Sequence, residues 1–156
     1  MLGRTLRLRS QKLFGLIIAF SVTPAFAETA NFGTFNLAPG FSSGQGVVQG
    51  YTGGSLPLST LSTNVRCLGF SDPAPDHIMV LEQPFPRLKL QVNSRGEDTT
   101  LLVRGPKNKL IGCGDDTGKD QDASVTASNL KAGAYQIWVG ALEPGSKYDY
   151  TLSVEE

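Results

Sequence analysis

Residues 87–93 read Arg-Leu-Lys-Leu-Gln-Val-Asn, an unbroken alternation of polar and apolar side chains. In an extended chain successive side chains leave opposite faces, so Leu88, Leu90 and Val92 share one face and Lys89, Gln91 and Asn93 the other. A strand of this kind buries one side and wets the other. The pattern recurs near the end of the chain, where Tyr148, Tyr150, Leu152 and Val154 oppose Asp149, Thr151, Ser153 and Glu155. In 133–140, Tyr135, Ile137 and Val139 oppose Gln136 and Trp138, so the single tryptophan points away from the core-facing set. Beyond residue 27 no long stretch carries the 3.6-residue period of a helix, and the apolar bursts are separated by glycine, proline and asparagine. That combination predicts an all-β, antiparallel domain.

Turn chemistry agrees. Gly105-Pro106 and Asn108 lie between two apolar runs and predict a hairpin, with Asn108 tolerating a left-handed backbone. Gly96, Glu97 and Asp98 precede a β-branched strand entry at Thr99-Thr100. Residues 28–66 are rich in glycine and serine, with short apolar patches at Phe32, Phe35, Leu37, Val47 and Val48. They are expected to form a loop-rich lead-in that adds edge strands to the same domain, residues 67–156 forming the rest.

Residues 1–27 read as an export signal. Arg4, Arg7, Arg9 and Lys12 form a positive start, Leu13 to Phe20 an apolar run, and Ala25-Phe26-Ala27 a small-x-small cleavage pattern. The run is too short to span a bilayer. Cleavage there leaves 129 residues, from Glu28 to Glu156, enough for one core. It also removes four of 14 basic residues and none of the 14 acidic ones, leaving ten against 14 and a net charge of −4. An electrostatic grip on phosphate backbones or anionic lipid is therefore not expected, so nucleic acid is excluded as a partner, as is stable membrane insertion after cleavage. The chain is expected in the periplasm or the secreted space. Cys67 and Cys113 lie in the exported part, where an oxidising compartment makes a disulfide the default, and two cysteines allow one internal pairing. Such a loop closure stabilises by roughly 4 kcal/mol.

Several landmarks together carry a family resemblance: Cys67, Pro75-Asp76-His77, Asp98-Thr99-Thr100, Gly105-Pro106, Cys113, Asp115-Asp116, Ala132-Gly133 with Tyr135, and Trp138-Val139-Gly140. With these, most of the chain from residue 67 onward resembles the bacterial pre-peptidase C-terminal domain, in a stand-alone exported version. The resemblance implies a jelly-roll-like β-sandwich, an accessory module that elsewhere is appended to secreted proteases and is not itself catalytic. It also implies association with a secreted peptidase as one possible role, and related sandwiches in secreted collagenases bind calcium.

The residue inventory opposes catalysis. A serine triad needs a histidine beside a serine and a carboxylate. The only histidine, His77, sits at the start of an expected strand, and Gly53-Gly54-Ser55 lacks the G-x-S-x-G nucleophile elbow. The loop Ile111-Gly112-Cys113-Gly114-Asp115-Asp116-Thr117-Gly118-Lys119-Asp120-Gln121-Asp122 holds the densest set of candidate ligands. Asp115, Asp116, Asp120 and Asp122 offer hard carboxylate oxygens suited to calcium. The spacing is not that of an EF-hand, Lys119 offsets part of the charge, and aspartates and glycines are also ordinary turn residues. Calcium is the one cofactor considered, against a hydrated turn with none. A non-catalytic exported module that binds a protein, peptide or glycan is the leading functional expectation, with Trp138 on its expected ligand surface. A calcium-stabilised structural module and a partner of a secreted peptidase are the alternatives.

Overall fold

The computed structural model describes residues 29–116 and 121–156; the expected export signal at 1–27 lies outside them. Eleven strands occupy these residues: β1 (Thr34–Leu37), β2 (Val47–Tyr51), β3 (Leu56–Pro57), β4 (Phe70–Ser71), β5 (His77–Leu81), β6 (Phe85–Asn93), β7 (Thr99–Gly105), β8 (Lys109–Gly114), β9 (Ser124–Leu130), β10 (Gly133–Ala141) and β11 (Asp149–Glu155). One short helix, α1 (Leu58–Ser62), follows β3, and a 3-10 turn (Ser43–Gly46) precedes β2. The strands form two sheets packed as a jelly-roll-like β-sandwich. From β5 onward the chain changes sheet at nearly every connection, the β7–β8 hairpin being the exception.

The four-stranded sheet runs β2-β11-β6-β9. The seven-stranded sheet is built around β10, which β7 pairs along one edge. Along the other edge β10 pairs β5 over Gly133–Ile137 and β4 at Ala141. β8 extends the sheet beyond β7 and β1 extends it beyond β5. Pairing is antiparallel throughout except at β1, which runs parallel to β5 in the register Thr34↔Ile78 to Leu37↔Leu81. Local alternation predicted antiparallel strands everywhere. It carries no information on the direction of a partner more than 40 residues away, and so missed this pair.

The main core lies between the sheets. Leu88, Leu90 and Val92 of β6 meet Leu101 and Val103 of β7, Tyr135, Ile137 and Val139 of β10, and Tyr150, Leu152 and Val154 of β11. The alternation read from the sequence therefore selects the core face of each of these strands. Full burial of a leucine, valine or isoleucine contributes about 1.5–3 kcal/mol, which makes this layer the largest stabilising term of the fold.

A second, smaller core covers the outer face of the seven-stranded sheet. Leu102 and Trp138 point outward from the main core and are covered by Leu58, Leu61 and Cys67. The segment 58–67 lies over them because it is tied down twice. Cys67 is bonded to Cys113 in β8, with Cα atoms 5.4 Å apart, and Arg104 donates from its Nη1 to the carbonyl of Leu61 at 3.2 Å. Gly69, just beyond the disulfide, has φ +88° and packs so tightly on Thr100 and Ala141 that a Cβ there would collide. Glycine suits both the left-handed backbone and the close approach.

Candidate functional site

Trp138 is 1 % exposed. The alternation placed it correctly on the face away from the core, but the inference that it forms an exposed ligand surface is corrected: α1, Cys67 and Arg104 cover it. The Arg104 guanidinium stacks 4.7 Å from the indole centroid, and its Nε donates to Gln136 Oε1 at 2.7 Å. The indole N–H reaches the carbonyl of Pro73 at 3.4 Å. A half-buried cation over an aromatic face, bonded to Gln136 and to the Leu61 carbonyl, is packing chemistry.

The acidic loop is rearranged relative to expectation. β7 and β8 form an antiparallel hairpin in the register Leu101↔Gly114, so Asp115 and Asp116, just after β8, return beside Asp98, just before β7. One carboxylate oxygen from each of Asp98, Asp115 and Asp116 lies within 4.8 Å of the others. Burial and the neighbouring carboxylate of Asp116 hold both Asp98 and Asp115 above the usual carboxylate range, with Glu143 adding to the effect at Asp98. Asp122 is engaged elsewhere. Its carboxylate accepts from the Ser94 backbone N–H at 2.8 Å and from the Ser94 hydroxyl, joining the β6–β7 connection to the start of β9. Asp120 lies outside the described residues.

Asp98 was missed from the sequence, although a signal for it exists. It stands about as far before the Gly105–Lys109 turn as Asp115 stands after it, and a hairpin brings such positions together. The three carboxylates are hard oxygen donors of the type calcium takes. Because calcium uses 6–8 oxygens, water or carbonyl groups would have to complete its shell.

A buried polar group lies at the gap between β4 and β5 along one edge of β10. The Asp76 backbone N–H donates to the Ile137 carbonyl at 2.8 Å, and the Asp76 carboxylate accepts the Val139 N–H at 2.7 Å. A side chain thus replaces the strand carbonyl missing at this point of the ladder, as a buried backbone N–H requires. Asn31 Nδ2 donates to the other carboxylate oxygen at 3.3 Å. Burial nevertheless pushes the Asp76 carboxyl up to about 7, opposed by these hydrogen bonds and reinforced slightly by Asp72.

His77, at the start of β5, is 1 % exposed and faces Phe32, Phe35 and Tyr150. Its Nε2 and the Tyr150 hydroxyl are 2.9 Å apart, while Nδ1 has no hydrogen-bond partner. Burial lowers the imidazole to about 4, so the ring is neutral in the fold. The Tyr150 phenol is shifted up by burial, with the Asp76 charge adding to it. The hydrogen-bond partner of His77 is the hydroxyl of a tyrosine held above its ordinary range, not a serine or thiol.

No family model matches the chain, and no curated protein matches it. Among solved structures, it is similar to the pre-peptidase C-terminal domain of a collagenase from Bacillus anthracis, at 14 % identity over 78 % of this chain and 94 % of that one, TM-score 0.44. It is similar to CorA, a surface-associated copper-binding protein of Methylomicrobium album BG8, at 9 % identity over 81 % and 99 % of the two chains, TM-score 0.48. It is also similar to PliG of Aeromonas hydrophila, a periplasmic inhibitor of g-type lysozyme, at 14 % identity over 78 % and 96 %, TM-score 0.42. The β-sandwich assignment rests on the strand pairing described above, and these likenesses add nothing on ligand or activity.

Proposed function

We propose that this chain is an exported, non-catalytic β-sandwich module that binds or presents a protein, peptide or glycan at the cell envelope or outside it. The observation that carries this reading is the position of His77. The chain's only imidazole is enclosed by aromatic rings and bonded to a tyrosine, so it cannot meet a substrate proton without unfolding of the β5 entry. Both thiols are consumed by a disulfide, which also supports an oxidising compartment. No helix among the described residues is long and apolar enough to cross a membrane. The test is a panel of peptide, ester and glycosidic substrates offered to the oxidised protein, with cell fractionation run in parallel. The expected results are no turnover above that of a heat-denatured sample and recovery outside the cytoplasm. Turnover that disappears in His77→Ala while the fold persists by circular dichroism would overturn the reading.

A second reading, a calcium-stabilised module, is favoured by the convergence of Asp98 on Asp115 and Asp116. A cation there offsets the burial and, after it, the mutual repulsion that raise two of the three carboxyls, and stabilises the fold by mass action. Thermal melts in chelator and in millimolar calcium test it. A rise of several degrees that Asp98→Asn or Asp115→Asn abolishes is expected, and equal melting points in the two buffers exclude it.

A further inference from the structure

The four-stranded sheet ends in β2 and β9, and the seven-stranded sheet in β8 on one side and in β1 and β3 on the other; the sandwich is open between β1 and β2 along one side and between β8 and β9 along the other. The first side is plugged. The Ser43–Gly46 turn is seated on β11, and Phe41 packs against Phe85 with ring centroids 6.1 Å apart. Along the second side β8 and β9 touch only at one end, where a Cβ on Gly112 or Gly114 would strike Val125 or Ser124. Toward Lys109 and Leu130 they diverge around a cleft of about 520 Å³. That volume lies within the usual range of ligand clefts, roughly 300–1,000 Å³.

The lining has a definite chemistry. Leu110, Ile111, Leu130 and Tyr135 supply apolar surface, and Lys107, Lys109 and Lys131 stand around it, with no acidic residue in the lining. All three lysines are exposed, and none has an ion-pair partner among the described residues. On a chain whose residues 28–156 carry ten basic and 14 acidic side chains, this is a local concentration of cations.

The two edges are not equivalent. β8 is interrupted at Ile111, which has no opposite residue on β7, since the register passes from Val103↔Gly112 to Arg104↔Leu110. Bulges and lysines are the usual devices that keep an edge from pairing. β9 has neither: Ser124 to Leu130 contains no charged residue or proline, and pairs β6 without a register shift. Its Thr126 and Ser128 are exposed in the cleft wall. An edge strand presents alternate N–H and C=O groups to any extended chain laid beside it.

We propose that the cleft between β8 and β9 takes an extended acidic peptide segment of a partner protein, which adds to β9 as a further strand. Its carboxylates face Lys107, Lys109 and Lys131, and an apolar side chain enters between Ile111 and Tyr135. The proposal rests on the binding-module reading above and names the site and partner chemistry for it.

The test follows ¹⁵N-labelled oxidised protein by NMR during titration with an N-acetylated octapeptide of alternating glutamate and valine. Three other probes are run beside it: the lysine-for-glutamate peptide, the glutamate peptide N-methylated on alternate amides, and inorganic phosphate. Saturable shifts confined to 107–111 and 124–132 are expected with the first peptide only. Joint replacement of the three lysines by glutamine should weaken binding by about tenfold, the mid-range combined effect of three exposed ion pairs. These residues are exposed, so the variant keeps the fold, and its unchanged spectrum outside the cleft checks this. Equal binding of the N-methylated peptide would overturn strand addition, and phosphate producing the same shifts would overturn the peptide as occupant. Absence of binding, or shifts elsewhere, would overturn the site. None of these outcomes touches the non-catalytic reading, which fails only if a substrate is turned over.

Discussion

The adjacent residues Asp76 and His77 should make opposite contributions to the pH dependence of stability, and their separation is a quantitative test of the buried edge of β10. The folded Asp76 carboxyl titrates at about 7, against 3.8 in its ordinary state. The folded state therefore holds a proton that the unfolded chain has lost, and the associated stability, full below 3.8, disappears as pH rises through about 7. At 1.36 kcal/mol per pH unit, that interval is worth about 4 kcal/mol. His77 behaves in the opposite sense. Its folded value of about 4 lies below the ordinary 6.5, so its contribution is complete above 6.5 and is lost as pH falls through about 4, a difference of about 3 kcal/mol. Between pH 4 and 6.5 the two slopes nearly cancel. Asp76→Asn keeps an acceptor for the Val139 N–H and removes one slope, so its stability should rise by about 3 kcal/mol from pH 4 to 6.5 relative to wild type. Above pH 7 it should exceed wild type by up to about 4 kcal/mol, because a buried charge has been removed. His77→Gln, whose amide can still meet Tyr150, should show the reverse slope. Urea unfolding at a series of pH values, followed by Trp138 fluorescence, measures both. Differences between variants cancel the titration of other carboxyls, such as Asp98. If Asp76→Asn and wild type have parallel pH profiles, Asp76 is ionised in the fold like an exposed carboxylate, and the argument from burial is wrong.

Trp138 emission should be blue-shifted and resistant to iodide or acrylamide, and Trp138→Ala should cost about 3–5 kcal/mol because α1 and Leu102 lose their packing partner. Arg104→Ala should cost about 1–3 kcal/mol by urea unfolding, through loss of the ring stacking and of the bonds to Gln136 and Leu61. Replacing Cys67 and Cys113 together with alanine should lower stability by about 2–5 kcal/mol and make the backbone of 58–67 exchange its amide protons before the rest. Asp122→Ala should destabilise by about 1–3 kcal/mol, with or without calcium, since it leaves the Ser94 N–H unpaired, whereas Asp98→Asn should act through calcium.

The strands of the main core were legible because burial on one face imposes a period of two, and Leu88, Leu90, Val92, Leu152 and Val154 satisfy it without exception. The cover over Trp138 was not legible. Alternation gives the side a residue faces but not what lies on that side, and the covering residues 58–62 are a five-residue helix with no side-chain N-cap, too short for an amphipathic repeat. Cys67 held the only clue, because a disulfide to β8 has to bring the end of the lead-in over the outer face. The acidic cluster was half legible: the composition of the loop marked Asp115 and Asp116, while Asp98 required the hairpin register. The role of Asp76 depends on a gap between two short strand pairings on one edge, and nothing local to Pro75-Asp76-His77 encodes that gap. The β8–β9 cleft arises where two sheets end, so its lysines, scattered over two turns, form no motif.

The strand order also governs how this chain emerges. β10 and β11 are interior strands of their two sheets, yet they follow every other described strand in the chain. Until residue 133 arrives, β5 and β7 lack the strand that lies between them, and β2 and β6 wait in the same way for β11. The pairs β1–β5, β6–β9 and β7–β8 can form without β10 and β11, but neither sheet can be joined into one until those two strands are present. Cys67 must likewise remain an unpaired thiol while the next 46 residues follow it. Loss of the residues from 149 onward would take the central strand from the four-stranded sheet alone, whereas loss from 133 onward would leave both sheets without their centres.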